Sequence, residues 1–474
     1  MRILFAAGAC VGLLLAVPSH AATAPPPAID AVALAQARSL RAHALTDDGA
    51  YALVASLTSE VGPRLAGSPN DAQGVAWAVA KLKAAGFANV HTEPVKVAHW
   101  ERGSLSVELT GADRRTLNAA SLGGSVGTDG KPLEGEVVAV SDVEELAQFQ
   151  RADIEGRIVY FYTRMPENLD GSGYRGTVTI RGRGPSEAAK LGALAVLIRS
   201  VGTVTDDLPH TGTTRYRDGV PKIPGIALSN RDADLLEARL AGGAPVRLSL
   251  TSTAQRLDPA LSANVVGEIV GREPDAGTVL LGAHLDSWDL ATGAQDDGAG
   301  VALITRAAQL IGGLERKPRR TLRVVLFANE EYGLDGAAAY AVAHAAEVDS
   351  IALAVEADLG AGKVWGLQSR VAPDRVPLVR AIAAELEPLG VRYFDNQTDG
   401  GADVGVLRDL GVPLFELEQD AVPYFRIHHT PGDTLAAIDK ASMRQALASY
   451  ATAVYLAADA GQGFGRAAPR IDAH

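Results

Sequence analysis

Cysteine is almost absent from this sequence of 474 residues, which contains one cysteine at position 10. A chain with a single cysteine forms no internal disulfide bond, so a disulfide-stabilised scaffold is excluded. Aromatic residues are also scarce, at 5%, whereas hydrophobic residues make up 47% and charged residues 21%. This composition is typical of a globular protein with one large or two medium domains, and it excludes a disordered or fibrous chain.

Clusters of basic residues and long hydrophobic runs are also missing. The chain has 44 Lys and Arg against 56 Asp and Glu, and its formal net charge is -12. Nucleic-acid binding usually needs a clustered positive surface, so we exclude a nucleic-acid partner. Beyond Val17 no apolar run is long enough to span a bilayer, so we expect no membrane contact after the N-terminal segment.

The N-terminal segment has the pattern of an export signal. Arg2 gives a basic start, an apolar run follows, and Ser19 and Ala21 are small residues three and one positions before the expected cleavage. An uncleaved anchor is the alternative, which the shortness of the run disfavours. We expect loss of residues 1–21 with the cysteine, a periplasmic or extracellular location, and a tether or propeptide over 22–45.

The second half of the chain alternates between apolar runs of strand length and helical patterns. The runs are 278–283, 322–328, 351–355 and 412–417, and the helical patterns are 299–311, 336–346 and 376–388. Strands that alternate with helices predict a mostly parallel, doubly wound sheet of the α/β class.

A segment of different texture interrupts this pattern. Residues 126–252 contain short strands and helices of their own, which predict an inserted α/β module. The main domain would then consist of 46–125 and 253–462, with a C-terminal tail at 463–474.

Acidic and histidine residues follow the predicted strands. They are His284 and Asp286, Asp296 and Asp297, Glu330 and Glu331, Glu356 and Asp358, and the run from His428 to Asp433. Each group alone is typical of a turn, a solvated loop or a structural histidine. In a doubly wound sheet, however, the carboxyl ends of the strands form the ligand-binding edge, and so much negative charge there requires a cation. Histidine and carboxylate ligands without thiolates suit zinc or a similar divalent ion.

Five ligands with one shared carboxylate suit two ions. Two ions about 3.5 to 4 Å apart lower the pKa of a water between them and polarise a carbonyl group, and a nearby Glu can act as the general base. The pattern therefore predicts an amide hydrolase. Spacing alone leaves open whether Asp289, Asp296 or Asp297 bridges the ions, and whether His428 or His429 is a ligand.

These motifs resemble those of peptidase family M28, the zinc exopeptidases, and in particular its carboxypeptidase Q type. The motifs that carry the resemblance are His284-Leu-Asp-Ser-Trp-Asp289, Asp296-Asp297-Gly298, Glu330-Glu331, Glu356-Ala-Asp358 and His429-Thr-Pro-Gly-Asp433-Thr434. Segments outside the site also match, among them 61–68 and 209–224, so the resemblance covers nearly the whole mature chain.

The resemblance implies a zinc exopeptidase fold with two Zn²⁺ per chain. The implied ligands are His284 and Asp358 for one ion, Glu331 and His429 for the other, and Asp296 as the bridge. Glu330 would be the general base, and Asp286 would orient the imidazole of His284. The resemblance also implies a cis peptide bond at Asp296–Asp297 and a homodimer.

The insert resembles the protease-associated domain of the same family. It would be either a passive spacer or a recognition domain whose loop at 209–224 reaches the site. In the second case His210, Arg215 and Arg217 would bind the carboxylate of a short peptide, because Arg suits carboxylate recognition.

We therefore expect a secreted dizinc exopeptidase that hydrolyses dipeptides or short peptides with free termini. The resemblance favours carboxypeptidase or dipeptidase action, with an aminopeptidase of the same family as the alternative. A one-zinc acyltransferase of the glutaminyl cyclase kind and a non-catalytic relative are disfavoured, because all five implied ligands and Glu330 are present.

Overall fold

The computed structural model describes residues 29–111 and 114–467 of the chain. The export signal predicted at 1–21 and the end of the tail predicted at 463–474 lie outside these residues. Across 29–111 and 114–467, no helix combines the length and the apolar character that crossing a bilayer requires.

The described chain forms sixteen strands and fifteen α-helices. The strands are β1 (Ala88–Glu101), β2 (Leu105–Leu109), β3 (Arg115–Thr116), β4 (Ala119–Ser121), β5 (Leu133–Val140), β6 (Ile158–Phe161), β7 (Ala195–Arg199), β8 (Gly225–Leu228), β9 (Arg247–Ser252), β10 (Gln255–Ile269), β11 (Thr278–His284), β12 (Thr321–Phe327), β13 (Ile351–Glu356), β14 (Val364–Arg370), β15 (Arg392–Tyr393) and β16 (Leu414–Gln419). The helices are α1 (Ala31–Ala44), α2 (Gly49–Glu60), α3 (Pro69–Ala84), α4 (Val143–Leu146), α5 (Arg151–Ile154), α6 (Ser172–Thr177), α7 (Thr179–Gly182), α8 (Gly184–Lys190), α9 (Asn230–Ala241), α10 (Ala299–Gly312), α11 (Asp335–Ala343), α12 (Val376–Leu386), α13 (Gly405–Arg408), α14 (Val422–Phe425) and α15 (Lys440–Asp459).

The larger domain is built on a mixed eight-stranded sheet with the order β1-β10-β12-β11-β13-β16-β14-β15. Its four central strands, β12, β11, β13 and β16, are parallel to one another, whereas β10 and β14 run antiparallel to their central neighbours. The predicted α/β class is confirmed. Because the central strands point the same way, their carboxyl ends meet at one edge of the sheet.

Helices cover both faces of this sheet, which is why its central strands are apolar throughout. Along β11, Val279 and Leu281 pack into a core with α10 and α15, whereas Leu280 faces a second core with α11 and α13. All three side chains are fully buried. This alternation follows from the two-residue period of a strand.

The N-terminal helix α1 belongs to this core. The segment 22–45 was predicted as a tether or propeptide, but its residues 31–44 form α1. Leu40 and Ala44 of this helix are buried, and α1 packs against α15. The Pro- and Ala-rich composition that suggested a tether ends before Asp30, whose side chain accepts a hydrogen bond from the N–H of Ala33 and caps the helix.

A second eight-stranded sheet has the order β3-β2-β9-β5-β6-β7-β8-β4. Its strands span 105–252, the segment that we call the insert, and β1 and β10 of the main domain flank it in the chain. The predicted boundary at 126 lies inside this sheet, because β2 at Leu105–Leu109 pairs with β9 at Arg247–Ser252. This long-range pairing leaves no mark in the composition of either segment.

We expect the central strand β11 to dominate the stability of the main domain. Replacement of buried Leu281 in Leu281→Ala should lower the free energy of unfolding by about 2–5 kcal/mol, because it leaves a cavity. The matched control is Leu261→Ala, since Leu261 is 73% exposed, and it should change the free energy by no more than about 0.5 kcal/mol. Denaturant unfolding of both variants checks this, and similar losses in the two would contradict the described packing.

Candidate metal centre

A cavity of about 630 Å³ opens at the carboxyl edge of the central strands, where the insert faces the main domain. The two walls carry opposite charges. Acidic residues of the main domain that line it are Asp296, Glu330, Glu331, Glu356, Asp358 and Glu416. Arginines of the insert that line it are Arg175, Arg181, Arg183 and Arg215.

His284, the last residue of β11, lies in the first of two groups of potential metal ligands. Its Nε2 atom is 3.1 Å from Oδ1 of Asp296 and 3.4 Å from Oδ1 of Asp358. Asp358 follows β13, the strand adjacent to β11. Neighbouring parallel strands therefore bring together residues that are far apart in the sequence, and the atoms are close enough to share one ion.

His429 forms the second group, in the turn after α14. Its Nε2 atom is 2.9 Å from Oε2 of Glu331 and 3.1 Å from Oδ2 of Asp296. Asp296 thus turns one carboxylate oxygen toward each histidine. The neighbouring His428 also lies close enough to Asp296 and His429 to share an ion with them. Its Nε2 atom is 3.6 Å from Oδ2 of Asp296, farther than that of His429, and its ring stacks on the ring of His429.

The other candidates for a bridging carboxylate point elsewhere. Asp297 accepts hydrogen bonds from the N–H groups of His284 and Gly300, at 3.2 and 2.9 Å. Asp289 forms an ion pair with Arg102 at 2.5 Å. The Asp296–Asp297 peptide bond is cis, as the resemblance implied. Only Asp296 among the three aspartates faces both histidines.

The electrostatics of the site favour a bound cation. Burial raises the pKa of Glu330 well above its usual range, and the charges of Asp358 and Glu331 raise it further. Burial and Asp296 likewise raise the pKa of Glu331 to about 7. Burial would also raise the pKa of Asp296, but the two histidines beside it hold that pKa well below the usual range. Divalent ions would relieve this repulsion.

Unpaired oxygen atoms in the site fit metal ligation. Oδ2 of Asp296, Oε1 of Glu331 and Oδ1 of Asp358 are buried and make no hydrogen bond within 29–111 and 114–467. A buried carboxylate oxygen without a partner is costly, and a metal ion supplies one. Imidazole nitrogens together with carboxylate oxygens form a ligand set that zinc accepts.

Glu330 and Asp286 lie beside these ligands. Glu330 lines the cavity, and its backbone N–H donates to Oδ1 of Asp286 at 3.0 Å. The same Asp286 oxygen is 3.5 Å from Nδ1 of His284. Asp286 therefore contacts both the backbone of the predicted base and the ring of a predicted ligand.

The carboxylate of Asp433 holds the loop that carries Asp296, a role that the motif pattern alone did not indicate. Oδ1 of Asp433 accepts the N–H groups of Ala294 and Gln295, at 3.0 and 2.6 Å, and Oδ2 accepts that of Asp296 at 3.2 Å. Burial raises the pKa of Asp433 to about 7, and the charge of Asp296 contributes. The aspartate of the His-Thr-Pro-Gly-Asp motif thus positions the carboxylate between the two histidines.

Arg64 is a second supporting residue that sequence reasoning missed. Its guanidinium group is fully buried and donates to the carbonyl oxygens of Leu285, Thr292 and Gly293. It therefore fixes the loop between β11 and Asp296. Arg64 lies in segment 61–68, which resembles family M28, and this resemblance is the sequence feature that could have indicated its role. The residues around it show no pattern that points to the site.

The three residues predicted to bind substrate occupy different environments. Arg215 is exposed and lines the cavity. Arg217 is not among the described residues that line the cavity, and it forms an ion pair with Glu187 at 3.1 Å. His210 is 1% exposed, and its Nδ1 atom lies 2.7 Å from the carbonyl oxygen of His428. Burial lowers the pKa of His210 to about 3, so its ring is neutral.

The insert also brings residues to the cavity that the sequence did not single out. Arg181 is buried and donates to the hydroxyl of Tyr174 at 2.6 Å and to the carbonyl oxygen of Thr211 at 3.4 Å. Arg183 lines the cavity beside it. These residues lie on the short helices α6 and α7 and directly after them, where no motif marked them.

We expect the loop held by Asp433 to be necessary for cation binding. Asp433→Asn replaces one of two accepting oxygens by a donor that faces N–H groups, so the chain should retain less divalent metal after dialysis. The matched control is Asp439→Asn, which alters an exposed carboxylate that caps α15 and should retain metal as the unmodified chain does. Equal retention in the two variants would contradict the role given to Asp433.

Comparisons with known proteins agree with this geometry. Residues 264–454 match the sequence model of peptidase family M28. Carboxypeptidase Q from Bos taurus is 36% identical to this chain over 420 residues, which cover 89% of this chain and 87% of that protein.

Solved structures extend the comparison to the fold. A peptidase M28 precursor from Shewanella amazonensis SB2B superposes with a TM-score of 0.91 and 40% identity, covering 93% of this chain and 99% of that one. BSAP, a zinc aminopeptidase from Bacillus subtilis, is 19% identical with a TM-score of 0.61, covering 88% of this chain and 98% of that one, and shares the fold. This chain therefore belongs to peptidase family M28 and is a zinc metallopeptidase related to carboxypeptidase Q.

Proposed function

We propose that this exopeptidase uses two zinc ions to hydrolyse dipeptides or short peptides with free termini. The observation that carries the proposal is the position of Asp296, which turns one oxygen toward His284 and the other toward His429. His284 and Asp358 would hold one ion, Glu331 and His429 the second, and Asp296 both.

The residues around the ligands divide the work of hydrolysis. The zinc ions, when bound, lower the pKa of a water molecule and polarise the peptide carbonyl. Glu330 takes the proton of the attacking water on its carboxylate and passes it to the leaving amine, which is the usual task of a general base in this position. Asp286 orients His284 and, through its hydrogen bond to the N–H of Glu330, fixes the backbone that carries the base.

The charge separation across the cavity supports a preference for short peptides with two free ends. A peptide ammonium group would be attracted to the acidic wall, and a peptide carboxylate to the arginines of the insert. We assign Arg215 to the substrate carboxylate, because it is exposed and lines the cavity. We assign no direct substrate contact to His210, because it is buried. We assign none to Arg217 either, because it pairs with Glu187.

This arrangement favours dipeptidase or carboxypeptidase action, and aminopeptidase action is the alternative. The relationship to carboxypeptidase Q and the arginine-lined wall both point to recognition of the carboxyl end. Two groups of ligands around Asp296 disfavour a one-zinc acyltransferase. The insert as a protease-associated domain, export through the N-terminal segment and assembly into a homodimer remain part of the proposal and rest on the resemblance.

Glu330→Gln should lower turnover by about 10²-fold or more, because the amide cannot accept the proton of the attacking water. Zinc content should stay at the wild-type value, since Glu330 is no ligand in this proposal. The control is Glu144→Gln, an exposed position on α4 far along the chain from the site. Steady-state kinetics with metal analysis check this, and wild-type turnover in a metal-loaded Glu330→Gln enzyme would refute the assignment of the base.

Arg215→Ala should raise KM for an unblocked dipeptide by about 10-fold or more, because charge-assisted hydrogen bonds contribute roughly 1.5–3 kcal/mol. For the C-amidated peptide the same substitution should change KM little. Arg217→Ala is the matched control and should leave both values unchanged.

An N-acetylated peptide completes the substrate set for these kinetics. Loss of cleavage on C-amidation supports a carboxyl-end reader, whereas loss on N-acetylation alone establishes an aminopeptidase and contradicts the preferred assignment.

A further inference from the structure

The insert lines the cavity and also contacts the ligand group of Glu331 and His429. A loop of the insert, residues 210–213, of which the first three are buried, lies against the turn that carries His429. We infer that this loop is a structural part of the metal centre, and that it selectively strengthens binding of the ion held by Glu331 and His429. The inference rests on the proposed function, since it assumes two ions with these ligands.

Two hydrogen bonds join the loop to the backbone of the turn. Nδ1 of His210 donates to the carbonyl oxygen of His428 at 2.7 Å. The N–H of Thr211 donates to the carbonyl oxygen of His429 at 3.0 Å. His429 has a φ of +63°, in the left-handed region that non-glycine residues rarely adopt. Such a conformation persists where its surroundings impose it, and here the insert supplies both partners.

The loop also reaches the ring of His429. Nε2 of this ring faces Asp296 and Glu331, which leaves Nδ1 to carry the proton when Nε2 binds metal. That Nδ1 atom is 3.4 Å from the carbonyl oxygen of Thr211, which also accepts from Nη1 of Arg181, an atom of the insert 3.4 Å from the same Nδ1. A metal-bound histidine usually donates its second N–H to such an acceptor, which fixes the ring and strengthens ligation.

A third contact joins the loop to the other ligand of the same ion. The hydroxyl of Thr213 donates to the backbone carbonyl oxygen of Glu331. His284, by contrast, has its Nδ1 atom next to Asp286 of the main domain. The ligand groups of the two ions are therefore held by different residues. The contacts from residues 210–213 reach the group of Glu331 and His429.

The loop is held rigidly enough for this role. The N–H of His210 donates to the hydroxyl of Ser200 at 2.8 Å, and the hydroxyl of Thr211 donates to the carbonyl oxygen of Ser121 at 2.9 Å. Both loop residues are buried. A Cβ atom at Gly202 would lie 2.1 Å from the ring of His210, so the absence of a side chain there lets the ring pack closely.

The test compares two substitutions of His210 whose side chains have the same number of heavy atoms and the same branching at Cγ. Asn can present an N–H at the position of Nδ1, whereas Leu places a methyl group there and leaves the carbonyl oxygen of His428 unpaired. Zinc affinity is measured by titration against a chromophoric chelator. His210→Leu should weaken one of the two zinc sites by about 10- to 100-fold, and His210→Asn should stay close to the wild type.

Two backgrounds identify the weakened site. In full-length His284→Ala the remaining strong ion is the one held by Glu331 and His429, so adding His210→Leu should weaken it by the same factor. In His429→Ala, adding His210→Leu should have no effect. Unchanged affinity in the first background, or equal losses in both, would overturn the inference, because equal losses indicate a general effect on folding.

Failure of the proposed function gives a different result. A wild-type chain that binds fewer than two zinc ions contradicts the dizinc proposal itself. The inference fails separately when the wild type binds two ions and His210→Leu binds both of them equally well.

Discussion

The structure depends on the concentration of buried carboxylates around Asp296. Glu330, Glu331 and Asp358 surround it at the edge where the cavity opens, and burial and mutual repulsion raise the pKa of all three. Such an arrangement is costly in a folded protein unless cations compensate it. The two histidines and buried Arg64 place positive charge near these carboxylates. Asp433 has a different role, because it holds the loop of Asp296 by accepting three backbone N–H groups.

The fold provides this site by simple geometry. Parallel strands β11, β12 and β13 end at one edge, so ligands from 284 to 358 meet there although they are distant in sequence. The last histidine comes from the turn after α14, and the insert supports that turn. The wall opposite this edge belongs to the insert and carries arginines on α6, on α7 and at Arg215.

Much of the main domain could be predicted from the sequence, because apolar runs with polar ends mark buried parallel strands directly. The ligand groups were visible as motifs, yet the choice of Asp296 over Asp297 depends on where each carboxylate points, which spacing does not specify. Helix α15 was not predicted, because residues 445–459 are all buried and the helix therefore has no solvent-facing polar side over this stretch. The start of the insert and the role of Arg64 depend on contacts between distant segments, which leave no local pattern.

The central claim is that Asp296 lies between two zinc ions. Anomalous diffraction from crystals of the zinc-loaded protein, recorded on both sides of the zinc absorption edge, tests it most directly. The account predicts two peaks about 3.5–4 Å apart, one beside His284 and Asp358 and one beside Glu331 and His429, with an oxygen of Asp296 on each. A single peak, or two peaks that do not share Asp296, would contradict it.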